Sequence, residues 1–208
     1  NLVDPSDKEV NLVSTLTGFE DSVLKCPLDD EERSRVESED DYLMVLVDTP
    51  VIDEEDDYYS YYTIPLGTFI KEHVIVTVSL KENTALTDFL NGRVRNFATY
   101  RKTRFLYQLL YNIASKFLGY LKQINRASGR IQNELHKSTK NKELIQMLDL
   151  ENSLVYFSTS LSDNDAVISR LLAIKNNAFL KAYEEEYELL EDVAGETKQA
   201  IQMCTIYR

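Results

Sequence analysis

Residues 105–138 read FLYQLLYNIASKFLGYLKQINRASGRIQNELHKS, and the spacing within them decides the fold. Leu106, Leu110, Ile113, Phe117, Tyr120, Ile124 and Ile131 recur every three or four residues, so they line one face of an amphipathic helix. At 1.5 Å of rise per residue this predicts a helix about 50 Å long. Downstream, Ser138 to Asn141 reads as a polar turn. A second long helix carries Leu144, Leu148, Leu154 or Val155, Ser158 and Leu161, and reaches as far as Leu172. Asn176-Asn177 is the next break. A third helix is predicted from about Asn177 to Arg208. Three long helices joined by short turns pack as antiparallel neighbours.

The third helix keeps its apolar spacing through Ala200, Ile201, Cys204 and Ile206, up to the last residue. No Gly, Asn or Pro stands where a helix would normally close, and an open end leaves four carbonyls without partners. The expectation is a fragment of a protein that continues.

Upstream of about Tyr100 the period changes. Asp4-Pro5-Ser6-Asp7 supplies caps for a short helix through Val10, Leu12, Val13 and Leu16, stopped by Gly18. A second short helix is predicted from Phe19 to Cys26, before Pro27. Tyr42 to Val47, Tyr61 to Ile70 and His73 to Ser79 read as strands, rich in branched and aromatic residues. The acidic run Asp53-Glu54-Glu55-Asp56-Asp57 is costly to bury and reads as a loop. Thr84 to Leu90 reads as a helix ending at Asn91-Gly92. The predicted class is α+β. A mixed β-sheet flanked by helices (an α/β/α sandwich) precedes a long helical hairpin and a long C-terminal stalk helix. The expected division is an α/β domain over 1–104, a hairpin over 105–175 and the start of a stalk over 176–208.

Composition narrows function. The chain has 208 residues, 43% hydrophobic and 28% charged, which is a globular balance with room for a real core. The formal net charge of −12 excludes a general nucleic-acid binder. The charge is uneven: residues 1–100 carry −14, residues 101–142 carry +9 and residues 143–208 carry −7. The basic stretch is therefore placed to meet an acidic neighbour or lipid headgroups. Cys26 and Cys204 form no disulfide framework, which fits a reducing compartment. No apolar run approaches the roughly 20 residues that span a bilayer, so a soluble chain is expected. His73 and His136 have no cysteine or acidic partner at ligand spacing. No nucleophile–base motif or phosphate-cradling Gly loop is present, so an enzyme is not expected.

Several stretches, taken in order, resemble the CorA family of magnesium transporters. They are the opening Asn1-Leu2-Val3-Asp4-Pro5; Asp29-Asp30-Glu31-Glu32-Arg33-Ser34-Arg35-Val36-Glu37 with Asp40-Asp41-Tyr42-Leu43; Leu150 to Phe157; and Leu189 to Arg208 with Gln199-Ala200-Ile201. The resemblance implies the cytosolic side of a membrane-embedded divalent-cation channel (magnesium, cobalt), homopentameric when whole. The family's Gly-Met-Asn pore signature is absent and would lie beyond Arg208, with the membrane helices. The first hairpin helix is basic here, where some relatives are acidic.

The resemblance also implies a regulatory Mg2+ between subunits, held by a loop aspartate and an acidic stalk residue. Asp53, with Glu54 beside it, matches the first; Asp192 or Glu196 matches the second. The residues themselves support this chemistry, since magnesium takes oxygen ligands from one or two carboxylates. Glu188, Asp192 and Glu196 also share one helix face at four-residue spacing, where like charges repel unless a cation or basic neighbour intervenes. The alternatives are a ZntB-like zinc transporter domain and a soluble helical scaffold or adaptor.

Overall fold

The computed structural model describes residues 1–55, 58–135, 141–174, 177–181 and 183–208, and of Glu54, Glu55 and Tyr58 the backbone alone. Five strands form one mixed sheet: β1 (Leu2–Val3), β2 (Arg35–Ser38), β3 (Leu43–Glu55), β4 (Tyr58–Ile70) and β5 (Ile75–Ser79). Their order is β1-β5-β4-β3-β2, with β1 parallel to β5 and every other pair antiparallel. Helices α1 (Asp7–Thr17), α2 (Asp21–Lys25), α3 (Thr84–Leu90), α4 (Lys102–Leu135), α5 (Asn141–Ala173) and α6 (Glu184–Tyr207) complete the chain.

The sheet is covered on both faces because β3 alternates between two cores. Leu43, Val45 and Val47 point into one with Leu66 and Ile70, under the four later helices. Met44 and Leu46 point into the other with Phe69, Val76 and Val78, under Val10, Phe19 and Leu24 of the opening segment. Period-two alternation of large apolar residues leaves neither face for solvent, which is the physical origin of the sandwich. α1 begins at a capping box, with Ser6 and Glu9 bonding each other's backbone, and ends at Gly18, whose φ of 73° is costly for residues with a Cβ. Gly67 is required for another reason: a Cβ there would lie 2.3 Å from Pro27 Cγ.

β3 and β4 pair over 13 residues each, from Leu43↔Ile70 to Glu55↔Tyr58. β2 accompanies only Leu43–Leu46 of β3, and β5 only Leu66–Ile70 of β4. Beyond those points the hairpin is a two-stranded ribbon, and Pro50 and Pro65 fall where the outer edges have no ladder to interrupt. At Asp48 the side chain of Asn164 on α5 stands in for the missing strand. Its Oδ1 accepts from the Asp48 N–H at 2.9 Å, and its Nδ2 donates to the Asp48 carbonyl at 2.8 Å. Ser34 Oγ also donates to Asn164 Oδ1 at 3.2 Å.

The long helices bury the stripe expected of α4: Leu106, Leu110, Ile113, Phe117, Tyr120 and Ile124 are all buried. An aromatic layer ties them to the sheet. The Phe117 and Phe157 rings meet edge to face at 5.0 Å, and Tyr61 of β4 reaches Phe157 at 6.4 Å and Tyr120 at 5.9 Å. α4 and α5 are antiparallel, since Phe117 meets Phe157 while Ser128 bonds Met147 nearer the turn. α6 returns parallel to α4. It starts beside Arg101 and Arg104, and its Cys204 thiol donates to the Leu154 carbonyl at 3.1 Å. Both cysteines are free, and burial raises both thiols above their ordinary value.

Several expectations need correction. β1 and β2 were not foreseen, being two and four residues long. Asp53–Glu55 continue β3 rather than forming a loop, because their backbones pair with Ser60, Tyr59 and Tyr58, and the Asp53 carboxylate stays partly exposed there. Asp56 and Asp57 lie outside the described residues. α4 starts three residues earlier than its apolar pattern, at Lys102, and is described to Leu135; the expected last turn, 136–138, lies outside the described residues. On α5, Leu154 and Leu161 are buried as expected, but Leu144, Leu148 and Val155 are exposed, and the rest of the buried stripe runs through Leu150, Phe157, Val167, Ile168 and Leu171. α6 begins at Glu184, not near Asn177. Asn177 Oδ1 caps a local turn at the Phe179 N–H, and a reciprocal Tyr183–Glu186 cap opens the helix only afterwards.

Asn164→Ala should destabilise the fold by about 2 kcal/mol, since it leaves two backbone groups of Asp48 without partners. Asn164→Asp should also cost stability, because a carboxylate cannot donate to the carbonyl. Urea unfolding of both variants checks this: equal midpoints for wild type and Asn164→Ala would remove the side chain's role as a strand substitute.

Candidate functional site

Asp53 lies near the free end of the β3–β4 ribbon, opposite Ser60. Its Oδ2 accepts from the Tyr62 hydroxyl at 2.7 Å and from Lys81 Nζ at 3.4 Å, and Lys81 also donates to the Tyr62 oxygen at 2.8 Å. Those bonds to Tyr62, then the Asp53 charge, raise the Lys81 ammonium above its ordinary value. Burial comes first among the causes that raise the Tyr62 phenol. The Asp53 carboxylate is 45% exposed, and its Oδ1 accepts no bond among the described residues. The Glu54 backbone continues β3 opposite Tyr59, and its side chain lies outside the described residues.

α6 separates its residues cleanly. Leu190, Val193, Ala194, Thr197, Ala200 and Cys204 are buried. Glu188 and Asp192 are exposed and Glu196 is half-buried on the other side. None of these three has an ion-pair partner among the described residues. Among the described residues no group of three or more His, Cys, Asp or Glu is placed to hold a metal ion, and the bonds of Asp53 run to Tyr62 and Lys81. His73 is exposed beside Glu72, and His136 lies outside the described residues.

The acidic start of α6 divides further. Glu186 is buried, and one oxygen accepts from the Tyr183 N–H at 3.0 Å. The other pairs with Arg101 and lies 3.8 Å from Arg104, while Glu185 lies 3.4 Å from Arg104. Glu186 is therefore a fastener between parallel helices and not a free ligand. The signal was present in sequence as Tyr183-x-x-Glu186 opposite Arg101-x-x-Arg104, but the tertiary pairing was not legible. Lys116 of the same basic stretch meets the buried Asp88 at 2.5 Å, with Arg93 at 3.1 Å. Burial alone would raise the Asp88 carboxyl, yet these two cations hold it below its usual value. Part of the basic stretch thus does meet acidic neighbours, inside the chain. Tyr107, buried one turn beyond Arg104, has its phenol pushed up to about 12, first by burial and then by the Tyr187 and Glu186 charges.

An α/β/α sheet domain with a long helical hairpin and a parallel third helix defines a recognisable architecture. The family described as CorA-like Mg2+ transporter protein matches residues 1–208, so the chain belongs to it. The cobalt/magnesium transport protein CorA of Methanocaldococcus jannaschii is 26% identical over 214 residues, covering 99% of this chain. The chain spans 63% of that relative's length. The solved soluble domain of CorA from the same organism matches with a TM-score of 0.85 and 27% identity, over 99% of this chain and 81% of that one. The complete CorA transporter structure from that organism matches at 0.84 and 26%, over 99% of this chain and 64% of that one. The cytoplasmic domain of ZntB from Vibrio parahaemolyticus shares the fold at a TM-score of 0.66 and 10% identity, over 95% of this chain and 80% of that one. No helix among the described residues is long and apolar enough to cross a membrane.

Glu186→Ala should cost about 2–3 kcal/mol of stability, less than a wholly buried pair because Arg101 stays a third exposed. Urea unfolding tests this, and a change below about 0.5 kcal/mol would show that the pair contributes nothing. Tyr107 supplies a second test. Its folded pKa lies above the unfolded value near 10, so its contribution is complete below pH 10 and lost as pH rises through 12. Tyr107→Phe should flatten the fall of the unfolding midpoint across that window; an unchanged slope would contradict the burial argument.

Proposed function

We propose that this chain is the cytosolic regulatory domain of a CorA-like divalent-cation transporter, homopentameric when full length, lying on the cytoplasmic side of the cell membrane. The observation that carries the reading is the outer face of α6. Its inner face is spent on the core, while Glu188, Asp192 and Glu196 are turned away from it without ion-pair partners among the described residues. Asp53 presents a second carboxylate with one oxygen not engaged among the described residues, on the ribbon end. Hard, exposed carboxylate oxygens suit magnesium, which keeps much of its water and needs only one or two of them.

In this reading Asp53, with Glu54, belongs to one half of a site. Asp192 and Glu196 of an adjacent subunit form the other half. Bound magnesium supplies the positive charge that lets the two halves approach. Without that charge the carboxylates repel and the subunits separate, which makes the ion a bias on a two-state equilibrium. Residues 1–104 act as the sensing body, 105–175 as the hairpin that braces α6, and 176–208 as the arm that passes the state on. Lys81 and Tyr62 hold the Asp53 carboxylate in position, so their loss should weaken sensing indirectly. The family match and the higher similarity to the solved CorA domain favour this reading over a ZntB-like zinc transporter, where the likeness supports the fold alone.

In the assembled full-length protein, Asp53→Ala and Asp192→Ala should each shift the midpoint of magnesium-dependent protease protection upward by about tenfold, a coupling of typical size. Asn substitutions should be milder, because an amide oxygen can still meet a hydrated ion. Wild-type midpoints in both variants and in the double variant would return these residues to ordinary surface charge.

A further inference from the structure

We propose that the outer face of α5 is a self-association surface, on which the same face of a second copy of this chain lies parallel as a short two-stranded coiled coil. α5 spends one side on the core, through Leu150, Leu154, Phe157 and Leu161. Its other side carries Ile145, Leu148, Asn152, Val155 and Thr159, separated by three and four residues in turn. That is heptad spacing, with Ile145, Asn152 and Thr159 at a and Leu148 and Val155 at d. All five are exposed, Ile145 by 58% and Leu148 by 59%. Leu144 and Tyr156 widen the stripe and are exposed as well. Large apolar side chains gathered within about four turns of one surface helix mark an interaction site.

Asn152 and the flanking charges identify the partner. Against a wholly apolar surface the Asn152 amide would lose its water and gain no bond. An antiparallel second copy, with Ile145 opposite Val155, would set Asn152 against Leu148, with the same penalty. A parallel copy in register sets Asn152 against Asn152, and two amides can donate to and accept from each other. The charges agree. In the parallel pair Glu151 flanks Tyr156 of the second copy, and Leu144 flanks its Asp149, so no two carboxylates meet. In the antiparallel pair Asp149 would face Asp149 and Glu151 would face Glu151, which repels that arrangement.

Symmetry separates this contact from the ring of five proposed above. A parallel pair has a twofold axis along α5, which no fivefold ring contains, so the contact joins one assembly to another. α6 runs antiparallel to α5, so two copies paired this way point α6 in the same direction. For the cytosolic domain of a transporter, the one step that rests on that reading, this places two transporters side by side in one bilayer. The pairing itself uses none of Asp53, Asp192 or Glu196.

The test is sedimentation equilibrium of the 208-residue chain in chelator, joined to disulfide trapping. A seam of about two heptads is a small interface, so half of the chain should be dimeric at about 0.1 mM. Leu148→Glu with Val155→Glu should leave a monomer at about tenfold higher concentration, while Asn152→Leu should tighten the dimer by about tenfold. These side chains are on the surface, so the fold survives the changes. With Cys26 and Cys204 replaced by Ser, Ile145→Cys should oxidise to a dimer linked at that position. The antiparallel pair would hold the two cysteines about 15 Å apart, too far for a disulfide. Asn125→Cys, exposed on α4, is the collision control and should stay monomeric. A wild-type monomer at about 1 mM overturns the proposal, as does a dimer that the double Glu variant leaves intact. Ile145→Cys linking no faster than Asn125→Cys, or a monomer that floats with lipid vesicles through this stripe, overturns it as well. Each of these failures leaves the magnesium reading standing, because that reading is tested through Asp53 and Asp192.

Discussion

The alternation along β3 is the constraint on which everything else depends. Leu43, Val45 and Val47 on one face and Met44 and Leu46 on the other are almost wholly buried. Each such side chain contributes about 1.5–3 kcal/mol only if its face is covered. One face takes the short opening helices, which a small patch suffices to seat. The other is extended by Tyr61, Leu66 and Ile70, and needs the larger surface that α4, α5 and α6 provide. The helical hairpin is therefore not an appendage. Its α5 is bonded into the sheet edge through Asn164, and its α4 is locked to α6 through Glu186.

That locking has a consequence for the proposed function. α6 is fixed at its start by buried charge and along its length by Val193, Ala200 and Cys204. In the proposed reading, a displacement of its outer carboxylates is passed to α4 through the Glu186 ion pairs and the shared core. A rigid arm is what a ligand-biased equilibrium between subunits requires, because sub-ångström changes at the ion are otherwise absorbed locally. Asp53 meets the same requirement by a different route. The Tyr62–Lys81 pair holds the carboxylate at the end of a ribbon whose root is deep in the core.

Much of this was legible in the amino-acid order. The period of α4 and the caps of α1 depend on neighbours in sequence, and both appear where spacing and chemistry place them. The elements that were missed depend on partners far away. β2 is four residues, three half-buried and Ser38 exposed, that become a strand only because Leu43–Leu46 offers an edge. The outward turn of Leu144 and Leu148 could not be read from spacing, because α5 carries apolar residues on more than one side. Within the acidic start of α6, both Glu185 and Glu186 lie against Arg101 and Arg104, far away in sequence, but only Glu186 is buried between the helices and caps the Tyr183 N–H. The family resemblance was carried by an ordered set of short stretches, and the match over residues 1–208 bears it out. The proposed pairing of Asp53 with Asp192 would form only between subunits, so contacts within one chain could not reveal it.

The most direct measurement is crosslinking between those two positions. Full-length protein in which Cys26 and Cys204 are replaced by Ser would carry Asp53→Cys in one subunit population and Asp192→Cys in another. A mild oxidant would then be applied with magnesium or with chelator, after brief ion exposure of the mixed assembly. A second pair, Asp53→Cys with Glu188→Cys, controls for chance collision along α6. The account predicts a disulfide between different subunits for the first pair, formed faster in magnesium than in chelator, and a weaker, ion-independent product for the control. No inter-subunit product at Asp53 and Asp192, or equal yields for both pairs whatever the ion, would contradict it.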